Sequence, residues 1–313
     1  MVDDCHQHHS AHTVATLPPM PSGPLAAALA YILWGLFPLY IKLVAHVPVL
    51  EIVLHRSLWA LVFVLALLAL RRQFAWLAPV LRQPRTLAIF GLSALLLGAN
   101  WLLYVWAVNN GRVLDASLGY FINPLVNVLL GCVVLHERPR PLQWAAVALA
   151  AAGVLWLAVG AGHVPWVSLL LAASFGFFGL LRKTAPLGAI EGLALETLLL
   201  GPLAVAGLLW LGAGGQGHFL QGDGRTDVLL LAAGPATAIP LLLFAYGARR
   251  VTLATLGLLQ YLGPSIQFVL GVFLYQEPFS ASRGVGFALI WAALALYSAE
   301  SLRLMRRKRM VAA

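Results

Sequence analysis

The sequence predicts an all-α membrane protein with ten transmembrane helices, arranged as two inverted repeats of five helices each. Three observations predict this class: the composition, the spacing of the apolar segments and an internal repeat. Of the 313 residues, 61% are hydrophobic and only 10% are charged, whereas an ordinary soluble domain has about 25% charged residues. No soluble fold has enough interior to bury so much apolar surface. The composition therefore excludes a soluble enzyme and a disordered protein.

Ten apolar segments account for the predicted helices. Each is long enough to cross the hydrocarbon core of a bilayer as a helix, and short polar breaks separate them. The strands of a membrane barrel would alternate apolar and polar residues, and these segments do not. The predicted spans are residues 24–44, 49–70, 87–108, 114–135, 142–160, 164–181, 190–211, 227–248, 253–275 and 284–303.

Polar tails are predicted at both ends of the chain. Residues 1–23 are predicted to form a disordered cytoplasmic tail, and residues 304–313 a basic cytoplasmic tail. The first tail contains Cys5 and four histidines. This leaves two interpretations: a metal-binding segment, or a flexible tail without the fixed geometry that selects an ion. No cofactor is predicted for the chain.

Basic residues determine the predicted orientation. Fifteen of the 20 Lys and Arg residues fall on one side of the membrane and three on the other, while Lys42 and Arg56 lie within spans. Because basic residues concentrate in cytoplasmic loops, both termini are predicted to be cytoplasmic. The net charge of +9 then reflects orientation and contact with the anionic lipid bilayer, and no nucleic-acid partner is predicted.

An internal repeat divides the chain into two halves. A shift of 140 residues places 100–138 over 240–278 without a gap, and Pro124, Gly131 and Glu137 then coincide with a second proline, glycine and glutamate. The predicted repeats are residues 24–160 and 164–303, with five spans in each. Since five is odd, the second repeat enters the membrane from the opposite side. Inverted repeats provide two interchangeable conformations, as alternating access requires.

The repeated prolines indicate where a substrate site is expected. Pro124 removes a hydrogen bond to the carbonyl of Tyr120, and Pro264 one to the carbonyl of Gln260. Paired interruptions of this kind are typical of binding sites in transporters. The alternative is a packing kink that Ser or Thr side chains satisfy. The freed carbonyls are expected to face Asn123, Gln260 and Tyr261.

Five charged or titratable residues within spans are candidates for function, because charge is costly there. Glu51 and His55 lie on one face of the second span with Arg56 beside them, forming either a polar network facing a cavity or a structural salt bridge. Lys42 either binds an anionic group or extends to the headgroups. Glu196 is either a proton-coupling group or the partner of Arg56 or Lys42.

Uncharged polar and aromatic residues complete the candidate site. Aromatic walls with a few amides suit an amphipathic small molecule, although each aromatic residue has the alternative of packing or facing lipid. The substrate-binding candidates are Trp34, Tyr40, Lys42, Arg56, Asn100, Trp101, Tyr120, Asn123, Gln260 and Tyr261. The coupling or gating candidates are Glu51, His55, Glu196, Pro124 and Pro264.

Small residues recur every four positions in the fifth and tenth spans. They are Ala148 and Ala152 in one span, and Gly284, Ala288 and Ala292 in the other. Such spacing allows helices to approach closely. The sequence leaves open whether these residues pack inside the bundle or form a homodimer through the two spans.

Several motifs resemble a known family. The run Ser117–Leu125 reads SLGYFINPL, and other matching stretches are Ala30–Gly35, Glu51 with His55 and Arg56, Asn100–Trp101, Trp106–Asn110 and Gln260–Pro264. On these motifs the chain resembles the RarD branch of the EamA-type drug/metabolite transporters, over residues 23–304. The resemblance implies ten helices in two inverted repeats, location in the bacterial inner membrane, export, and an association of the branch name with chloramphenicol.

A secondary transporter is the function that the sequence favours. The substrate class is a small amphipathic metabolite or drug, such as chloramphenicol or an amino-acid-like molecule, with proton coupling through Glu196, Glu51 or His55 as a further hypothesis. The alternatives are a channel and an intramembrane enzyme. The sequence lacks Gly-x-Ser-x-Gly, His-Glu-x-x-His and a phosphate-binding loop, so we expect no enzymatic activity.

Overall fold

The computed structural model describes residues 22–109, 113–160, 166–274 and 281–312. The regular secondary structure in this part of the chain is entirely helical, without a strand. The histidine-rich tail and Glu277 lie outside the described residues. The helices are α1 (Gly23–Leu43), α2 (Val49–Leu70), α3 (Leu77–Leu81), α4 (Pro84–Asn109), α5 (Val113–Val134), α6 (Pro141–Gly160), α7 (Trp166–Thr184), α8 (Ala189–Ala213), α9 (Gly224–Ala248), α10 (Leu253–Gln260), α11 (Leu262–Val269), a π-helical turn (Leu270–Leu274) and α12 (Ala281–Ala312).

Seven helical segments within the described residues are long and apolar enough to cross a membrane. Every predicted span overlaps helical residues, and α2 has the predicted bounds. The chain is therefore a multi-pass membrane protein. The seven segments are Gly23–Leu43, Val49–Leu70, Pro84–Tyr104, Pro141–Val159, Trp166–Thr184, Ala189–Ala213 and Gly224–Ala248.

The two repeated prolines have different effects on the backbone. Pro264 lies beyond a break at Tyr261, where α10 ends and α11 begins. The segment predicted as one span at 253–275 is thus two short helices followed by a π-helical turn. In contrast, α5 continues through Pro124 as a single helix. A proline removes one hydrogen bond from a helix, and packing decides whether the helix tolerates the loss.

Helices of the first half (α1–α6) interleave with helices of the second half (α7–α12). Helix α1 packs on α9 and α11, α2 on α8 and α9, α4 on α7 and α8, and α5 on α7 and α10. Aromatic rings fill the junction of α1, α7 and α9, where Trp34 contacts Tyr31, Phe175 and Phe244. The core therefore lies between the two halves.

Helices α6 and α12 pack against each other within the chain. The close approach is at Gly153, where a Cβ atom would lie 2.9 Å from the carbonyl oxygen of Gly286. The predicted small residues Ala148, Ala152, Ala288 and Ala292 are exposed instead, and Gly284 is half-buried. They do not form this intrachain interface, and the homodimer through these helices stays a prediction.

Candidate substrate site

Arg56 is the centre of the candidate site. It lies on the buried face of α2, and only 4% of its surface is exposed. Its Nε donates a hydrogen bond to the hydroxyl of Thr237 in α9, at 2.8 Å. Its guanidinium carbon lies 3.5 Å from the ring centre of Trp101 and 4.5 Å from that of Phe37. Two aromatic rings from α4 and α1 thus hold the cation by cation–π contacts, which are strongest where water is excluded.

Among the described residues, Arg56 has no carboxylate partner. The groups that act electrostatically on it are the hydroxyls of Tyr40, Tyr104 and Tyr120. Its Nη1 and Nη2 donate no hydrogen bond within the described part of the chain. The hydroxyls of Tyr104 and Tyr120 also have no hydrogen-bond partner there. We call Arg56 and the residues around it the Arg56 chamber; they are Phe37, Tyr40, Trp101, Tyr104, Tyr120 and Thr237.

The chamber combines residues from four helices of the first half with one from the second. Of the sequence candidates, Arg56, Tyr40, Trp101 and Tyr120 belong to it. Phe37, Tyr104 and Thr237 belong to it as well but were not predicted. Tyr104 is within one turn of Trp101, so helical periodicity alone could have indicated it. Thr237 has no such signal, because its role depends on how α9 packs against α2.

The predicted amides form a separate cluster beside the repeated prolines. Asn123 donates to the carbonyl of Ala172 at 3.3 Å, and Asn127 donates to the side-chain oxygens of Asn123 and Gln260 at 3.1 and 3.0 Å. The amide of Asn123 therefore donates to Ala172 and not to the carbonyl freed by Pro124, contrary to the expectation, while Gln260 accepts from Asn127 through its side-chain oxygen. Asn127 was not predicted, although it lies one helical turn from Asn123.

Other predicted residues tie helices together. Asn100 donates to the carbonyl of Leu171 at 2.9 Å and to the hydroxyl of Ser174 at 2.8 Å, which joins α4 to α7. The hydroxyl of Tyr261 donates to the carbonyl of Phe121 at 3.2 Å, which joins the break after α10 to α5. These contacts position the walls around the chamber and are not part of it.

Glu51 binds the loop between α8 and α9. Its carboxylate accepts from the backbone N–H groups of His218 and Phe219, at 2.6 and 3.2 Å, and lies 2.9 Å from Nδ1 of His218. His55 accepts from Nε1 of Trp59 at 3.0 Å, and its Nε2 lies 3.8 Å from Glu51. Glu51 and His55 therefore do not pair with Arg56.

More polar contacts join the chain at this same end of the bundle. The ring of His46 lies 2.7 Å from the hydroxyl of Thr226, and the hydroxyl of Tyr40 donates to the carbonyl of Leu229. Thr226 also donates to Asp223, just before α9, and this hydrogen bond lowers the pKa of the Asp223 carboxyl. We call this set, together with Glu51 and His218, the loop-side contacts.

The opposite end of the bundle contains two ion pairs. Glu196 accepts from the hydroxyl of Ser93 at 2.5 Å and lies 3.6 Å from Nη1 of Arg182. Its partner is therefore Arg182, and the alternative pairing with Arg56 or Lys42 is wrong. Glu137 accepts from the first N–H groups of α10 and lies 3.8 Å from Nζ of Lys183. Lys42 is exposed in the last turn of α1, consistent with an extended side chain.

Comparison with known proteins identifies relatives over most of the chain. Residues 21–159 match the EamA-like transporter family. Protein RarD of Streptomyces exfoliatus is 48% identical over 281 residues, covering 90% of this chain and 89% of that protein. An uncharacterized transporter of Pseudomonas aeruginosa is 45% identical over 285 residues, covering 91% and 96%. A crystal structure with 21% identity matches 90% of this chain and 98% of that chain with a TM-score of 0.66, which shows a shared fold.

The apolar helices and these relatives define a multi-pass membrane transporter. The chain belongs to the EamA-like transporter family, in the group of its RarD relatives. The family assignment made from the sequence motifs is confirmed.

Proposed function

We propose that this protein is a secondary transporter that carries a small amphipathic molecule by alternating access, with the substrate in the Arg56 chamber. The observation that carries the proposal is a buried, incompletely bonded guanidinium among aromatic rings, held by residues of both halves. Intramembrane charge of this kind marks substrate pathways in transporters. Relative motion of the halves would change access to the chamber.

Two matching contacts support ten transmembrane helices in inverted repeats. A Cβ atom on Gly35 of α1 would lie 2.9 Å from the Cβ atom of Ile266 in α11. A Cβ atom on Gly176 of α7 would lie 2.7 Å from Cγ1 of Val126 in α5. Gly35 and Gly176 correspond in the repeat, and so do Val126 and Ile266. The same interhelical contact thus occurs twice, each time between a helix of the first half and a helix of the second.

Contacts at the two ends of the bundle provide elements for gating. At one end, the loop-side contacts hold the α8–α9 loop against α2. At the other end, Glu137 and Lys183 hold the end of α5, the end of α7 and the start of α10 together. Since Glu137 accepts from the first N–H groups of α10, the positive end of that helix stabilises the carboxylate. Alternating access would require one end to open while the other stays closed.

Direction, location and coupling complete the proposal. Family analogy favours export across the bacterial inner membrane, and the excess of basic residues favours cytoplasmic termini. Chloramphenicol and amino-acid-like molecules remain the named substrates to test. Glu196 binds both Arg182 and Ser93, which favours a structural role for it and leaves proton coupling as a hypothesis.

Reconstitution in liposomes tests the transport function. Purified protein is assayed with labelled amino acids, organic acids and chloramphenicol, with and without a pH gradient. We expect saturable uptake that is stimulated by unlabelled substrate inside the vesicles. Flux without such counterflow would support a channel, and turnover of a lipid without net flux would support an enzyme. Flux that ignores the pH gradient would exclude proton coupling.

The orientation is tested separately. Single cysteines replace Gln216, in the α8–α9 loop, and Arg138, between α5 and α6, in a chain from which Cys5 and Cys132 are removed. In intact cells, a membrane-impermeant thiol reagent should label the cysteine at 216 and spare the one at 138. The reverse pattern would refute cytoplasmic termini.

A further inference from the structure

We infer that the Arg56 chamber selects substrates that carry a carboxylate on an apolar or aromatic body, and that it discriminates against uncharged analogues of the same shape. This inference rests on the proposed transport function and adds the class of substrate. The residues that make the discrimination are Arg56, which binds the anion, and Thr237, which positions Arg56.

Two buried arginines of the bundle differ in their partners. Arg182 is 2% exposed, lies 3.6 Å from Glu196 and donates through Nη2 to the carbonyl of Ala189. Arg56 is 4% exposed and has neither a carboxylate nor a carbonyl acceptor in the described ranges. A buried charge is costly unless it is paired. An anionic substrate would supply the partner that the protein gives to Arg182 but not to Arg56.

The hydrogen-bond donors of Arg56 are only partly used within the described residues. Trp101 and Phe37 lie near the guanidinium carbon, and Thr237 takes the Nε hydrogen. The two Nη groups are the part of the fork that remains. A guanidinium binds a carboxylate through two parallel hydrogen bonds, which is a geometry that a neutral amide cannot reproduce with equal strength.

Aromatic rings beside Arg56 would contact the rest of the substrate. The ring centres of Tyr104 and Tyr120 lie 5.9 Å apart with the ring planes inclined at 61°, and their hydroxyls have no hydrogen-bond partner in the described part of the chain. Aromatic walls with a few polar groups bind apolar bodies and fix their orientation. A carboxylate at Arg56 would therefore place the apolar part of the same molecule among these rings.

Four probes separate the contributions. N-acetyl-L-phenylalanine has both the carboxylate and the ring, its carboxamide keeps the ring without the charge, acetate has the charge alone, and chloramphenicol is a neutral aromatic molecule. Binding to the purified full chain is measured by the shift in melting temperature with concentration, and transport by uptake into proteoliposomes corrected for protein-free vesicles. We expect the acid to bind at least about tenfold more tightly than its carboxamide, because hydrogen bonds to charged groups are strong.

Variants assign this preference to the site. Arg56→Gln should bring the ratio of acid to carboxamide affinity close to one, and Arg56→Lys should keep part of it. Thr237→Val retains the cation but removes its positioning hydrogen bond, so it should lower the ratio even if Arg56→Gln fails to fold. Arg71→Gln, an exposed arginine at the end of α2, should keep the wild-type ratio.

The outcomes distinguish the inference from the transport proposal. The carboxylate inference is overturned if the wild type binds the acid and the carboxamide equally. It is also overturned if Thr237→Val and the Arg56 variants keep the full preference for the acid over the carboxamide. Neither result contradicts the transport function. A lack of binding by all four probes overturns the carboxylate inference too. Binding of the acid without any flux overturns the transport proposal and supports the anion site.

Discussion

The Arg182–Glu196 pair allows a quantitative test of how much a buried ion pair between α7 and α8 stabilises the protein. Glu196 in α8 is 1% exposed, and its Oε1 lies 3.6 Å from Nη1 of Arg182 in α7 and 2.5 Å from the hydroxyl of Ser93 in α4. Replacing Glu196 with Gln preserves the shape of the side chain and an acceptor for Ser93. It removes the negative charge and leaves Arg182 buried without a partner.

The size of the effect follows from the distance. At 3.6 Å and an effective dielectric constant of about 20, Coulomb's law gives roughly 4.6 kcal/mol for the two charges. Removing one partner of a buried pair typically costs about 3–5 kcal/mol, because the remaining charge is uncompensated. We expect Glu196→Gln to lower the melting temperature by about 5 °C or more, using the entropy of unfolding expected for a chain of this length.

The assay is the thermal unfolding of the purified full chain in detergent, followed by intrinsic fluorescence. Glu191→Gln is the matched control, since Glu191 lies in the same helix and is only half-buried, and it should melt within about 1 °C of the wild type. The double variant Arg182→Gln/Glu196→Gln should recover much of the loss, because both charges are then gone. A melting temperature of Glu196→Gln equal to that of the control would refute the reasoning.

Two further predictions concern helix packing and the loop-side contacts. A Cβ atom on Gly257 would lie 2.6 Å from the backbone oxygen of Pro124, so Gly257→Ala should lower the free energy of unfolding by about 1–3 kcal/mol. The control is Gly91→Ala, whose new Cβ atom would meet nothing within 4 Å and should leave the stability unchanged or raise it. Equal changes in stability for the two variants would contradict the close packing at Gly257. Glu51→Ala removes the acceptor of the backbone N–H groups of His218 and Phe219, so amide hydrogen exchange in residues 214–223 should accelerate. Unchanged exchange would show that Glu51 does not hold the loop.

Much of the fold could be predicted because lipid restricts the backbone to helices. The length of each apolar segment then determines where a helix begins and ends, as for α2. The two prolines show where this reasoning stops. Pro264 follows a helix break and Pro124 lies inside a continuous helix, although the two occupy equivalent positions in the repeat. Neighbouring helices decide the outcome, and a single sequence does not record them.

The candidate site was predicted in part for the same reason. The residue types that suit an amphipathic small molecule pointed to Arg56, Tyr40, Trp101 and Tyr120, and the structure brings them together. The partner of Glu196 was missed, because Arg182 lies at a span end and was counted with the basic loops. A pairing between two helices depends on their rotation and depth, and hydropathy fixes neither.

The unpaired charge of Arg56 explains why an anionic substrate would suit alternating access. A carrier must pass through an occluded state in which its site is sealed from water. Sealing an unpaired guanidinium at Arg56 is costly, since the charge loses its hydration without gaining a partner. A bound carboxylate removes most of that cost, so the loaded protein should cross between its two states faster than the empty one. Net transport would then be limited by the return of the empty carrier, and exchange would be faster than net flux. A channel needs no occluded state, so the channel alternative does not explain why Arg182 is paired with Glu196 while Arg56 has no acidic partner among the described residues.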